Sequence, residues 1–182
     1  GLSALAGCEK TPEPVAFSTF AMDTVMNFTL YGEKEQTAGK VQALLSGESS
    51  ALDKILSVTQ ETGDVARLNR RGSNCVDPET AGVLAKALEL CEVTSGALDI
   101  TAYPAVKVWG FTQEEHRVPS PAELEGLAAK IDYTAVRLEG NTVTLPDGME
   151  IDLGAVAKGF AGDRLAETVR TNGIPSAQID LH

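Results

Sequence analysis

The spacing of apolar residues changes along the chain and predicts a succession of strands and helices. Alternating apolar and polar positions predict two strands within residues 15–30, on either side of a polar break at 21–24. Between residues 35 and 57 the apolar residues recur with a helical period, and a shorter helical segment is expected at 64–69. The first part of the chain is therefore predicted to form a β-hairpin followed by two helices.

Capping and turn residues mark the later elements. Asp77-Pro78 and Ser120-Pro121 each place a capping side chain before a proline at the first helical position, and Glu123 completes a capping box with Ser120. The remaining predicted elements are helices at 78–94 and 121–130, a meander of three strands around 136–138, 143–145 and 151–153, a helix at 154–172 and a strand from 177. The chain is therefore predicted to have an α+β fold, with helices packed on a mostly antiparallel sheet.

Composition narrows the class of protein. The 182 residues carry a net charge of −11, and 43% of them are hydrophobic, which is enough for one domain or most of a larger one. A nucleic-acid binder needs a basic surface, so nucleic acid is excluded as a partner. No apolar run approaches the roughly 20 residues that span a bilayer, and an acidic surface does not attract anionic lipid. Any attachment to a membrane is therefore expected to be covalent.

One cysteine near the start of the chain suggests such an attachment. Leu5-Ala6-Gly7-Cys8 resembles a bacterial lipobox, in which the cysteine is lipidated after signal cleavage, although such short strings also occur by chance. Its position ahead of a polar, proline-containing stretch favours the lipobox, with residues 1–14 as signal remnant and tether. No basic segment precedes it, so Gly1 is not expected to be the biological start. The predicted location is the outer face of the cytoplasmic membrane, or facing the periplasm, with residues 15–182 folded.

The segment 151–159 carries the most informative chemistry. A predicted strand ends in Asp152, passes through Gly154 and enters a helix whose first turn bears Lys158. A helix N-terminus attracts anions, Lys158 could meet a phosphate or ribose, and Asp152 could accept hydrogen bonds from a sugar or base. The segment matches neither a Walker loop nor G-x-G-x-x-G. On its own, an ordinary tight turn with an exposed lysine explains the pattern equally well.

Two further segments have candidate binding residues. An aspartate and a threonine flank an apolar residue within 96–101, and the aromatic residues at 109–111 could stack on a flat ring. The alternative is a helix end followed by a core tryptophan. Met22, in the polar break between the first strands, could line an aromatic ligand or belong to the core.

The order of these segments resembles the ApbE family of FAD:protein FMN transferases, also known as thiamine biosynthesis lipoproteins. The matching motifs are Ala21–Thr24, residues 52–57 with 67–69, residues 96–101 with 109–111, and residues 152–163. The resemblance extends from about residue 15 to residue 181. It implies a magnesium-dependent enzyme that splits FAD and attaches FMN, through a phosphoester, to a threonine or serine of an exported target protein.

The resemblance also assigns roles to individual residues. The FAD-contacting positions of the family fall on Met22, Ala97, Leu98, Asp99, Asp152 and Lys158. Ala155 falls where family members offer a backbone oxygen to Mg²⁺, an ion that prefers oxygen ligands. No catalytic residue is assigned from the sequence.

The chain departs from the family pattern at three places. Asp23 replaces the common glycine, and Thr59 stands where many members have an aromatic residue. The sequence reaches His182 before the histidine-proline and Asp/Thr motifs that supply the main magnesium ligands of the family. The domain is therefore expected to be incomplete at its C-terminus, and this stretch alone is expected to be inactive.

Three alternatives to FMN transfer remain at this point. The first is FAD pyrophosphatase activity, which releases FMN and AMP. The second is a non-catalytic FAD-binding lipoprotein. The third is an α+β lipoprotein domain that binds no flavin, which the four ordered motifs disfavour.

Overall fold

The computed structural model describes residues 12–32, 35–110 and 116–181. The strands are β1 (Val15–Ala21), β2 (Thr24–Tyr31), β3 (Ser73–Cys75), β4 (Arg137–Glu139), β5 (Thr142–Thr144) and β6 (Ser176–Leu181). The helices are α1 (Glu35–Leu56), α2 (Asp64–Arg71), α3 (Pro78–Val93), α4 (Tyr103–Val108), α5 (Pro121–Ala128) and α6 (Gly154–Thr171), with short 3-10 helices at Ile100–Ala102 and Tyr133–Ala135. Cys8 and the proposed tether up to residue 11 lie outside the described residues.

The chain forms two compact units. The first unit contains the described residues up to Ser50 together with those from Gly162 onward, and the second unit is Ala51–Ala161. Each unit has its own three-stranded sheet, and every strand pair in both sheets is antiparallel. Helices accompany both sheets, so the predicted α+β fold with antiparallel sheets is confirmed.

The sheet of the first unit has the strand order β1-β2-β6. Strands β1 and β2 form the predicted hairpin, in a register that pairs Ala21 with Thr24 and leaves only Met22 and Asp23 in the turn. Alternate residues of these strands face a buried apolar core, as the period of two along a strand requires. The buried members of this core are Ala21, Met26, Phe28, Leu30, Ala38, Val41, Leu45, Leu165, Val169 and Ile174.

The sheet of the second unit has the order β3-β5-β4 and differs from the predicted meander. The expected third strand at 151–153 is wrong, because this segment pairs with no strand. Its place beside β5 is taken by β3, which sequence periodicity did not reveal in a stretch of three residues. Strand β5 ends before Pro146, which has no backbone N–H to continue a ladder.

The helix starts follow the predicted caps. The Asp77 carboxylate accepts a hydrogen bond from the Glu79 N–H at 2.9 Å at the start of α3. At the start of α5, Ser120 and Glu123 form both hydrogen bonds of the predicted capping box. Within the described residues, no helix combines the length and apolar character needed to cross a bilayer.

Candidate functional site

The segment before α6 is held in place without a strand partner. The Asn69 side chain, on α2, accepts a hydrogen bond from the Ile151 N–H and donates one to the Ile151 carbonyl, both at 2.8 Å. One residue further on, the Asp152 N–H donates to the carbonyl of Ile100 at 2.9 Å. These contacts satisfy backbone groups that a neighbouring strand would otherwise satisfy. They also place the Asp152 segment beside the loop that contains Ile100.

Glu150, which precedes Ile151 and Asp152, is anchored by an ion pair with Lys107. Lys107, on α4, donates to both carboxylate oxygens of Glu150 at 2.7 and 2.6 Å. The same ammonium group lies 5.2 Å from the centre of the Tyr103 ring. Burial raises the pKa of the Tyr103 hydroxyl, and the negative charges of Asp152 and Glu150 raise it further. The Tyr103 hydroxyl therefore gives up its proton less readily than that of a free tyrosine.

The carboxylate of Asp152 caps the start of α6. Its Oδ1 accepts a hydrogen bond from the Gly154 N–H at 2.8 Å. The sequence suggested a helix N-terminus open to an anion, but this first amide is already occupied by the protein's own carboxylate. Asp152 is half-buried, and its negative charge lies at the positive end of the helix, which is a favourable position.

Two other predicted residues lie on the first turns of α6. Ala155 is exposed in the first turn, and Lys158 is half-buried one turn after Gly154. Residues four apart in a helix share one face. Lys158 therefore lies on the same side of α6 as Gly154. This position is the one expected of a lysine that contacts a ligand bound at the start of the helix.

The predicted tripeptide Ala97-Leu98-Asp99 follows the end of α3. The chain leaves this helix through Ser95 and Gly96, with φ of 54° and 79°, a left-handed conformation that permits the sharp change of direction. The Leu98 N–H donates to the Thr94 hydroxyl at 3.1 Å, which fixes the loop to the helix end. Ala97 is exposed and Leu98 is half-buried, so this loop remains accessible to a ligand.

The carboxylate of Asp99 organises the next turn of the chain. Its Oδ1 accepts from the Thr101 N–H at 2.8 Å and from the Thr101 hydroxyl at 2.6 Å. Its Oδ2 accepts from the Tyr133 N–H at 3.2 Å. Both oxygens therefore bind the protein itself, and Asp99 shapes the 3-10 helix that presents the Ile100 carbonyl to Asp152.

Met22 belongs to the first unit. It lies in the hairpin turn with φ of 55°, as does Asp23, which matches the backbone of a two-residue turn with both central residues left-handed. The side chain of Met22 is half-buried and packs against the core of that unit. Its core interpretation is supported, and its part-exposed position at the turn leaves its predicted contact with FAD untested.

The described residues do not assemble a complete metal site. Among residues 12–32, 35–110 and 116–181, no group of three or more His, Cys, Asp or Glu side chains could hold a metal ion. Ala155 can offer one backbone oxygen, as the family resemblance implies. The Mg²⁺ that the resemblance also implies would need further ligands.

Sequence reasoning missed the residues that hold these loops in place. Asn69 and Ile100 lie within the matched family motifs, but no pattern in the sequence assigns a role to them, to Lys107 or to Glu150. Asn69 and Ile151 are 82 positions apart, and no local pattern indicates a contact over that separation. The hydrogen bond from the Asp152 N–H to the Ile100 carbonyl brings Asp152 next to the loop that contains Asp99. It places the two loops together and confirms neither aspartate as a ligand.

Solved structures with this architecture define the class of protein. The chain superposes on flavin transferase ApbE from Vibrio cholerae with a TM-score of 0.85 and 26% identity, covering 94% of this chain and 57% of that one. It superposes equally well on the ApbE protein from Thermotoga maritima, with a TM-score of 0.85, 26% identity and coverage of 93% and 57%. The fold is therefore that of ApbE proteins.

The amino-acid sequence leads to the same family. A sequence model of the ApbE family matches residues 22–182, and the chain belongs to this family. An FAD:protein FMN transferase of Vibrio cholerae is 29% identical over 185 residues, covering 97% of this chain and 55% of the relative. The enzyme of the same name from Salmonella typhimurium is 28% identical, with coverage of 93% and 53%. The chain thus spans about half the length of the curated relatives it matches.

Proposed function

We propose that this protein is a flavin transferase that moves FMN from FAD to an acceptor protein. The observation that carries the proposal is the hydrogen bond between the Asp152 N–H and the Ile100 carbonyl. It unites, within one unit, two loops that the family resemblance assigns to FAD, and Ala97, Leu98 and Asp99 lie on one of them. Membership of the ApbE family and the names of the curated relatives support the same activity.

The proposed reaction exchanges the phosphoanhydride bond of FAD for a phosphoester bond to the acceptor. The hydroxyl oxygen of a threonine or serine in the acceptor attacks the phosphorus of the FMN half of FAD. The bond from that phosphorus to the bridging oxygen breaks, AMP leaves with the bridging oxygen, and the hydroxyl proton passes to solvent. In this scheme Asp152 accepts hydrogen bonds from the nucleotide and Lys158 balances phosphate charge, so both act by positioning and electrostatic stabilisation.

Dependence on magnesium is part of the proposal. A divalent cation would neutralise the charge of the pyrophosphate, as in other phosphoryl transfers. The side chains of the described residues do not fit a complete magnesium site, although Ala155 can supply one backbone oxygen. No step of the reaction is therefore assigned to the metal through residues of this chain.

Product analysis tests the activity. The full-length protein is incubated with FAD, Mg²⁺ and a candidate exported flavoprotein, and flavin and AMP are separated by chromatography after denaturation. Flavin that stays on the acceptor, with an equal amount of AMP released, is the expected result. Release of free FMN and AMP without any acceptor would instead identify a pyrophosphatase, and binding without turnover would identify a flavin-binding protein.

We also propose that the protein is exported and held at the outer face of the membrane by a lipid on Cys8. The support is the lipobox-like sequence before that residue and the polar stretch that follows it. Metabolic labelling with a fatty acid should mark the full-length protein, and Cys8→Ser should abolish the label and release the protein from the membrane fraction. Labelling that survives the substitution would contradict the anchor.

A further inference from the structure

The carboxamide of Asn69 takes the place of a missing strand beside Ile151. It bonds both the N–H and the C=O of that residue, at 2.8 Å each, in the way that a neighbouring strand bonds a paired residue. The amides of asparagine and glutamine offer a donor and an acceptor side by side on one planar group, as this contact requires. Asn69 therefore makes a contact that few substitutions at this position can reproduce.

This contact acts on a backbone that has no alternative partner in a sheet. Ile151 is 1% exposed, and residues 151–153 pair with no strand. A buried N–H or C=O without a partner destabilises the fold, because the group has lost its hydrogen bonds to water and gained none in return. If Asn69 were removed, the segment would have to shift in order to recover hydrogen bonds with water.

The residue after Ile151 is Asp152, to which the proposed function assigns hydrogen bonds with FAD. Asp152 follows Ile151 directly, its N–H binds Ile100, and its carboxylate caps α6 through Gly154. A shift of Ile151 would disturb both contacts, since the Ile151 carbonyl and the Asp152 N–H belong to one planar peptide unit. Asn69 thus holds the residue that directly precedes the turn to which FAD binding is assigned.

We propose that Asn69 is a positioning residue for the FAD site, which fixes Ile151 so that Asp152 and the start of α6 keep the geometry that binds the nucleotide. This inference rests on the proposed function. It gives Asn69 no contact with FAD, and its effect on binding passes through Asp152.

A double-mutant cycle on the full-length protein tests the inference. FAD affinity is measured by flavin fluorescence for the wild type, Asn69→Ala, Asp152→Ala and the double variant. Asn69→Ala is expected to weaken FAD binding on the order of tenfold, the equivalent of one lost hydrogen-bonded contact. In the Asp152→Ala background the same substitution is expected to add little, because the residue through which it acts is already gone.

Two further variants separate positioning from general stability. Asn69→Asp keeps an acceptor for the Ile151 N–H but loses the donor, so it should weaken FAD binding as Asn69→Ala does. Thr80→Val removes a buried hydrogen bond from the Thr80 hydroxyl to the Asp64 carboxylate in the same unit, a contact that involves neither Asn69 nor Asp152. It should lower the melting temperature and leave FAD affinity unchanged.

Two results would overturn the inference. One is an Asn69→Ala variant that binds FAD as tightly as the wild type does. The other is a double variant whose loss of FAD affinity equals the product of the losses in Asn69→Ala and Asp152→Ala. If the wild-type protein does not bind FAD, the proposed function fails, and amide hydrogen exchange then tests Asn69 by itself. Faster exchange at Asp152 and Gly154 in Asn69→Ala supports the positioning role, and unchanged exchange contradicts it.

Discussion

At the scale of single residues, Asp152 combines a structural task with the proposed binding task. One of its oxygens holds the Gly154 N–H at 2.8 Å, so the orientation of the carboxylate is set by the first residue of α6. A carboxylate can accept about four hydrogen bonds, which leaves acceptor capacity for a sugar or a base. FAD binding should therefore be sensitive to small changes at the glycine as well as at the aspartate.

Gly154→Ala is expected to weaken FAD binding. A Cβ at this position would lie 3.2 Å from the Asp152 Oδ1, closer than ordinary van der Waals contact, so the carboxylate has to shift slightly from its position at the Gly154 N–H. Partial loss of one hydrogen bond to a charged group is expected to cost about 1 kcal/mol, or roughly fivefold in affinity. Fluorescence titration of FAD with the full-length variant measures the effect.

Gly82→Ala is the matched control for this substitution. Gly82 is exposed on α3, and a Cβ there meets no atom within 4 Å. Alanine should stabilise the helix by roughly 0.5–1 kcal/mol and leave FAD affinity unchanged. Equal affinity of the two variants would contradict the role given to the contact between Gly154 and Asp152.

The hairpin turn yields a second prediction at the residue scale. Asp23 has φ of 55°, in a two-residue turn that favours glycine at this position. Asp23→Gly should raise the free energy of unfolding by roughly 0.5 kcal/mol, because relief of the left-handed strain exceeds the added entropy of the unfolded chain. Chemical denaturation of the full-length protein measures the change.

Asp147→Gly tests whether the left-handed backbone is the cause. Asp147 is exposed, as Asp23 is, and it precedes the turn residue Gly148. Unlike Asp23, it does not have a positive φ. This substitution should not stabilise the protein. Stabilisation by both changes, or by neither, would count against strain at Asp23.

At the scale of elements, the cap of α5 has a defined dependence on pH. Glu123 accepts hydrogen bonds from the Arg117 guanidinium, at 2.8 and 3.2 Å, and from Ser120. These contacts lower the pKa of Glu123 from 4.5 to about 2, and the hydrogen bond from Arg117 has the largest effect. Because the folded pKa lies below the unfolded one, the stabilisation is complete above pH 4.5 and is lost as the pH falls towards 2.

Substitution of Glu123 should reproduce this dependence. Glu123→Gln is expected to lower the melting temperature at about pH 6, and the difference from wild type should shrink towards zero near about pH 2. Glu125→Gln removes the same charge from the same exposed helix without touching the Ser120 cap. An identical pH dependence in both variants would assign the effect to net charge and contradict the role of the cap.

Elements with strong local signals could be predicted from the sequence, and those formed by distant contacts could not. Periodicity and caps located α1, α3, α5, α6 and the first hairpin, because these features depend on residues that are close in sequence. The segment at 151–153 has the composition of a strand, yet its partners are a side chain on α2 and a carbonyl at Ile100. Such partners are set by tertiary structure.

At the scale of the molecule, the predicted FAD-contacting positions are spread along the whole chain. Met22 belongs to the first unit, whereas Ala97, Leu98, Asp99, Asp152, Ala155 and Lys158 belong to the second. Sequence reasoning found these positions only through the ordered motifs of the family, since each segment taken alone also fits an ordinary turn or core residue. The Asp152–Ile100 hydrogen bond that brings two of the loops together, and the contact of Asn69 with Ile151, could be seen only in the structure.

The most direct test is an FAD titration of the full-length protein with excess Mg²⁺. Saturable binding is predicted for the wild type, and Asp152→Ala and Lys158→Ala should each weaken it on the order of tenfold or more, as loss of a charged hydrogen-bonding group does. Lys86→Ala, which removes an exposed lysine paired with Glu89 on α3, should bind as the wild type does. Wild-type affinity in both site variants, with unchanged melting temperatures, would contradict the assignment of the Asp152 turn as the FAD site.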